Sequence, residues 1–236
     1  MKLVEMLRSE LPDYSIKVPS VEDNLSFRPF LVKEEKNLLL VSEEGNELDI
    51  IRAIKNILIA CFDNLNLDNI SLGEAEYLFV KLRERSVGEN LELIYSDGSS
   101  KKPVNLDLRT IKAPKRTGPK KNTFSVTENI TIKLRELTLN DVIKNEIKIW
   151  NKDQDTYIKM VASMIDTVTI KEESLSGTDL SHKEMVEFVE SMTETQFAAL
   201  LKYAEKSPQL HHALEVDGNK IEISGLNDFF GLVSPT

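Results

Sequence analysis

Phe27-Arg28-Pro29-Phe30-Leu31-Val32-Lys33-Glu34-Glu35-Lys36 sets how this chain begins to fold. Pro29 has no N–H to give to a strand ladder, and it pushes Arg28 towards extended geometry. Glu34 and Glu35 stand where the positive end of a helix favours carboxylates, just ahead of Leu38-Leu39-Leu40-Val41. The stretch reads as an extended segment handing over to a helix that stops near Gly45-Asn46.

Working back from it, residues 1–11 have helical spacing, with Leu3, Met6 or Leu7, and Leu11 on one side and Pro12 as the stop. Tyr14-Ser15-Ile16-Lys17-Val18 alternates as a strand does, Pro19 limits it, and Leu25-Ser26-Phe27 can pair back as a hairpin. Working forward, Ile50/Ile51, Ile54, Ile57/Leu58 and Cys61/Phe62 carry the clearest helical period. A second amphipathic helix starts near Ser71, carries Ala75, Leu78/Phe79 and Leu82, and ends at Ser86-Val87-Gly88. Leu91–Tyr95 and Val104–Leu108 flank a polar loop containing Asp97-Gly98, which predicts a middle hairpin.

Residues 112–122 hold two prolines, a glycine and clustered basic side chains, and are read as a linker or long loop between an N-terminal α+β region, 1–111, and a mostly helical region, 123–236. In the latter, Ile130, Ile132 and Leu134 alternate as a half-buried strand. Thr138 can cap a helix holding Leu139, Val142/Ile143, Ile147 and Trp150. A further helix holds Tyr157/Ile158, Val161 and Met164/Ile165, and Thr167–Ile170 is a short β-prone run. Ser181 with Glu184 and Thr193 with Gln196 form capping boxes opening two more helices. Asp217-Gly218-Asn219 marks a C-terminal hairpin between Leu214–Val216 and Ile221–Ile223. The expected class is α+β, mostly helical, with N-terminal, middle and C-terminal antiparallel hairpins.

Hydrophobic residues make up 41% of the 236, enough for a real core. The longest apolar runs, Leu38–Val41 and Ile57–Phe62, fall far short of the roughly 20 residues of a membrane span, and Glu5, Arg8 and Glu10 break up any secretory signal. A soluble, intracellular protein is expected. The single cysteine, Cys61, reads as a buried core thiol. Net charge is −9 and unevenly spread: ten acids face three bases from Asp153 to Glu194, whereas Arg109–Lys121 holds six bases and no acid. The acidic half disfavours general nucleic-acid binding, and the basic segment lacks the interleaved aromatics that stack bases.

Chemistry is sparse. The chain has neither a Gly-rich phosphate loop nor a nucleophile elbow. His182 reads as a surface residue at an acidic helix start, and the adjacent His211 and His212 point to opposite faces of an extended chain, so both rarely reach one metal. Helical carboxylates are interspersed with Lys and Arg as on solvated faces. No catalytic residue, cofactor or metal is expected, and no enzyme.

Several stretches in order resemble the baseplate hub subunit and hub-assembly family of contractile-tailed, T-even-like bacteriophages. They are Val18-Pro19-Ser20, the run Phe27–Lys36, Glu76-Tyr77-Leu78-Phe79 with Leu82-Arg83, Ser86-Val87-Gly88-Glu89, Asn129–Ile132, and Gly225-Leu226-Asn227-Asp228-Phe229-Phe230. Members of that family often carry Cys-x-x-Cys pairs in the middle and C-terminal hairpins, resembling zinc knuckles. Here those loops hold no cysteine, which rules out a thiolate zinc site. The resemblance implies a non-enzymatic viral protein, made in the host cytoplasm, that helps build the central hub of the tail baseplate by binding other hub or tail proteins. An assembly factor is preferred over a permanent virion subunit in the baseplate; self-association is left open, and a nucleic-acid adaptor using residues 109–121 is the further alternative. Phe27, Arg28, Pro29, Phe30, Lys33, Phe229 and Phe230 are the candidate partner-interface residues, with core packing as the competing reading of the phenylalanines.

Overall fold

The computed structural model describes residues 2–96, 101–118, 121–151, 153–216 and 218–229. Helix α1 (Lys2–Ser9) leads into a hairpin of β1 (Tyr14–Ile16) and β2 (Leu25–Phe27), paired Tyr14↔Phe27 and Ile16↔Leu25. Two helices follow, α2 (Val32–Glu44) and α3 (Glu47–Cys61). Gly45, at φ 70°, closes α2 in the left-handed region where a side chain would be strained. Asn46 accepts from the Leu48 N–H to open α3, whose Ile50, Ile51, Ile54, Ile57 and Leu58 are buried as the period requires.

Helix α4 (Leu72–Ser86) is the central element. Every residue from Gly73 to Val80 is buried. A Cβ at Gly73 would stand 2.3 Å from the Pro208 carbonyl oxygen, so only glycine lets the later chain cross here. Strands β3 (Asn90–Ser96) and β4 (Lys101–Asp107) form the middle hairpin, with Leu91↔Leu106 facing the core; its expected Asp97-Gly98 turn lies outside the described residues.

The second half carries the largest sheet, an antiparallel meander of β5 (Thr123–Ser125), β6 (Ile130–Leu134), β7 (Ile165–Ile170) and β8 (Glu173–Ser176). Phe124↔Ile132↔Val168↔Leu175 form one row across it. Thr138 caps α5 as expected, but α5 (Leu139–Lys144) does not extend to Trp150: Glu146, at φ 49°, reverses the chain and sends Ile147 into the core. Helix α6 (Gln154–Met164) runs directly into β7, so Ile165 is a strand residue rather than helical. Helices α7 (His182–Glu190) and α8 (Glu194–Ala204), both opened by the expected capping boxes, pack on α6. Strands β9 (His211–Val216) and β10 (Asn219–Ser224) form the last hairpin, followed by α9 (Gly225–Phe229). The class is α+β as expected.

Helix α1 forms within the stretch whose spacing predicts it. Its apolar face, Leu3, Met6 and Leu7, is exposed, at 80%, 65% and 69%. Segment 112–118 is held to the chain: Arg116 lies over the Tyr203 ring at 3.7 Å, pairs with Glu136 at 2.7 Å and donates to the Tyr203 carbonyl.

Candidate functional site

Between β2 and α2 the chain passes through a polar clamp. The Arg28 N–H donates to the Cys61 carbonyl and the Phe30 N–H to Ser86 Oγ, each at 3.0 Å, tying the segment to the ends of α3 and α4. The Arg28 guanidinium donates to the carbonyls of Ala60 and Pro29 at 2.8 Å and to both Glu34 oxygens at 3.0 and 3.2 Å. A cation over the last carbonyls of α3 meets the negative end of its dipole. Burial alone would push the Glu34 carboxyl up, but hydrogen bonds from Arg28 and the Leu31 N–H hold it below its ordinary value. The Glu34 hydrogen bond raises Arg28 in turn. Leu31, at the N-cap, has no acceptor of its own, so the carboxylate of Glu34 closes the helix start. The Cys61 Sγ lies 3.5 Å from Arg28, yet burial pushes its thiol up to about 12, which keeps it protonated and inert.

The candidate interface residues separate into distinct environments. Phe27 is 3% exposed, stacked on Phe62 at 4.8 Å and tilted against Tyr14 at 5.5 Å, so its ring belongs to the core. Phe229 is likewise buried, at 4%. Pro29 and Phe30 are half-buried, Arg28 is committed to Glu34, and Lys33 is exposed. Phe230 lies outside the described residues. The burial of Phe27 and Phe229 follows the core-packing reading of these two rings.

Helix α4 holds what sequence reasoning missed. Three of its carboxylates, Glu74, Glu76 and Glu84, are buried, contrary to the expectation that helical acids are solvated. Glu74 accepts from the N–H and Oγ of Ser20 at 2.8 and 2.7 Å and from the N–H and Oγ of Ser71 at 2.9 and 2.8 Å. Glu76 accepts from the N–H groups of Leu226, at 3.2 Å, and Leu210. Burial nevertheless pushes its carboxyl up to about 7. Glu84 pairs with Lys81 at 2.8 Å and Arg85 at 3.4 Å. Segments 54 to 150 residues away in sequence thus meet at α4: Val18-Pro19-Ser20 through Glu74, Phe30 through Ser86, and Gly225-Leu226 through Glu76. These contacts join the very stretches on which the resemblance rests.

A family model described as T4 bacteriophage base plate protein matches residues 11–231. The chain belongs to that family. Neither a curated protein nor a solved structure matches it. Membership associates this baseplate protein with other baseplate proteins, and no helix among its described residues is long and apolar enough to cross a membrane.

His182, expected at the surface, is half-buried with Nδ1 3.5 Å from Ser163 Oγ, and burial lowers its pKa. His211 pairs with Glu222 at 2.9 Å while His212, the neighbour in register with Ile223, is lowered by burial. No group of three His, Cys, Asp or Glu among the described residues could hold a metal. In the basic segment, Arg109 is bound to Asp107 and Glu89 and Arg116 to Glu136, which leaves less free positive charge than the sequence suggests.

Proposed function

We propose that this baseplate protein is a non-enzymatic assembly factor for the central hub, acting by binding other hub or tail proteins in the infected cell. The observation that carries the reading is the exposed apolar surface of the first two helices in a chain whose aromatic core closes on itself. Leu3, Met6 and Leu7 of α1 and Val32, Leu39 and Leu40 of α2 are exposed, Val32 at 81%. Exposed apolar stripes on helices suit helix-in-groove or helix-on-helix docking. A permanent hub subunit is expected to bury larger apolar faces than these, as obligate interfaces do. Absolute quantitation by mass spectrometry in purified particles and in infected-cell lysate tests the reading. Abundance in lysate with none in particles is the expected result, and a fixed copy number per particle would make the chain a permanent hub subunit instead.

A further inference from the structure

Two cavities meet at the C-terminal turn. One, of about 310 Å³, is bounded by α4, the Ile149–Asn151 turn, α6, α8 and Ser224–Asp228. The other, of about 290 Å³, lies between the middle and C-terminal hairpins, where Leu93, Tyr95 and Val104 face Leu214 and Ile221. Asn227 and Asp228 line both. Every charged side chain lining either cavity is acidic: Glu76, Glu205, Glu222 and Asp228. Lys220 and His211 already answer Glu222, whereas Glu76, Glu205 and Asp228 form no ion pair among the described residues. Trp150 and Tyr157 offer aromatic faces in the larger cavity, where a cation gains further.

We propose that these cavities form one docking groove for an extended basic segment of a partner protein, with Lys or Arg side chains set against Glu76, Glu205 and Asp228 and the intervening apolar side chains against the two hairpins. Both hairpins are two-stranded sheets, so each carries unpaired edges to which an extended segment can add main-chain hydrogen bonds. A cation beside Glu76 returns to that buried carboxylate the counter-charge it lacks. An acidic segment would meet only like charge here. This inference rests on the reading of the chain as a protein that binds other baseplate proteins, but its test uses the isolated chain, so failure here leaves that reading standing.

Trp150 is the chain's one tryptophan and lines the groove, so its emission reports occupancy directly. The full chain is titrated with a heptapeptide of alternating valine and arginine and with its glutamate-for-arginine counterpart. Trp150 emission should shift with the basic peptide only. Asp228→Asn with Glu205→Gln should weaken binding by about 10-fold, as loss of two solvent-exposed charge pairs does; the asparagine keeps an oxygen for the Ser224 N–H that Asp228 accepts. Glu205→Lys alone, at the exposed end of α8, is the second variant and should weaken it likewise. Glu187→Gln with Glu190→Gln, on the exposed face of α7, should leave binding unchanged. Equal weakening by the α7 variant would reduce the effect to diffuse attraction by a chain of net charge −9 and overturn the proposal. Equal binding of the acidic peptide, or no binding, would overturn it too. Binding only after removal of residues 230–236 would assign the groove to the chain's own terminus and overturn it as well.

Discussion

Glu76→Gln separates charge from hydrogen bonding at the latch between α4 and the C-terminal turn. The glutamine oxygen can still accept the Leu226 N–H that meets the native carboxylate at 3.2 Å, and no charge remains to be desolvated. Burial raises the native carboxyl to about 7 from an ordinary 4.5. A group raised in this way binds more protons folded than unfolded. Its contribution is therefore fully present below 4.5 and lost as pH rises through about 7. Between about pH 5 and about pH 8 the loss is about 2.5 kcal/mol, integrating that shift at 1.36 kcal/mol per pH unit. Urea denaturation of both proteins at each pH, followed by circular dichroism, isolates it, because the other titrating groups are common to both. The native chain should lose about 2–3 kcal/mol more than the variant over this range, and the variant should be the more stable at the upper pH. Parallel pH profiles would refute the reasoning, for they would mean that the folded carboxyl is already solvated or ionised at its ordinary value.

Other substitutions test the clamp, the crossing and the surface. Arg28→Ala should cost about 3 kcal/mol in urea denaturation by stranding Glu34 beneath the α3 carbonyls, with Arg28→Lys recovering only part because an ammonium cannot bridge both oxygens; an unchanged midpoint would show that the pair is solvated. Gly73→Ala, whose Cβ would stand 2.3 Å from the Pro208 carbonyl oxygen and 2.9 Å from Gln209 Cα, should cost about 1–3 kcal/mol, and a neutral result would mean the 208–209 crossing is loose. Cys61 should resist a thiol reagent in the folded chain and react once urea unfolds it; fast labelling of the folded protein would contradict its burial. Leu7→Ser should change stability by no more than about 0.5 kcal/mol while reducing retention of baseplate partners in pull-down, and a large stability loss would place α1 in the core.

Local signals were legible. Thr138, Ser181 with Glu184, and Thr193 with Gln196 cap helices as their spacing says, because a capping box is completed within four residues. The three expected hairpins were legible because alternating apolar residues mark both strands of each. Strands β5 and β8 were not, since Thr123–Ser125 and Glu173–Ser176 are short and polar and acquire their identity from partners in β6 and β7. Helix α5 was overextended because Ile147 and Trp150 keep the apolar period, while Glu146 at φ 49° breaks the backbone. The period records which residues are buried and is silent on a turn that buries them another way.

The buried carboxylates of α4 were illegible for a different reason. Glu74 and Glu76 look like solvated helix acids because groups that bury them lie far along the chain, Ser20 at a separation of 54 and Leu226 at 150, and only Ser71, which forms a capping box with Glu74, is close by. Such a residue is recognisable only once its partners are placed. The distinction matters for the interface as well. Arg28 and Phe27 carry the residue types enriched at binding hot spots, yet a guanidinium bound to Glu34 and two carbonyls, and a ring stacked on Phe62, are already complete within the chain. An anchor must have unmet bonding capacity or exposed apolar area. By that criterion the exposed apolar side chains of α1 and α2 and the proposed acidic groove beside Asp228 are candidates for partner contact, and the Phe27–Lys36 stretch fixes the start of α2 against the ends of α3 and α4.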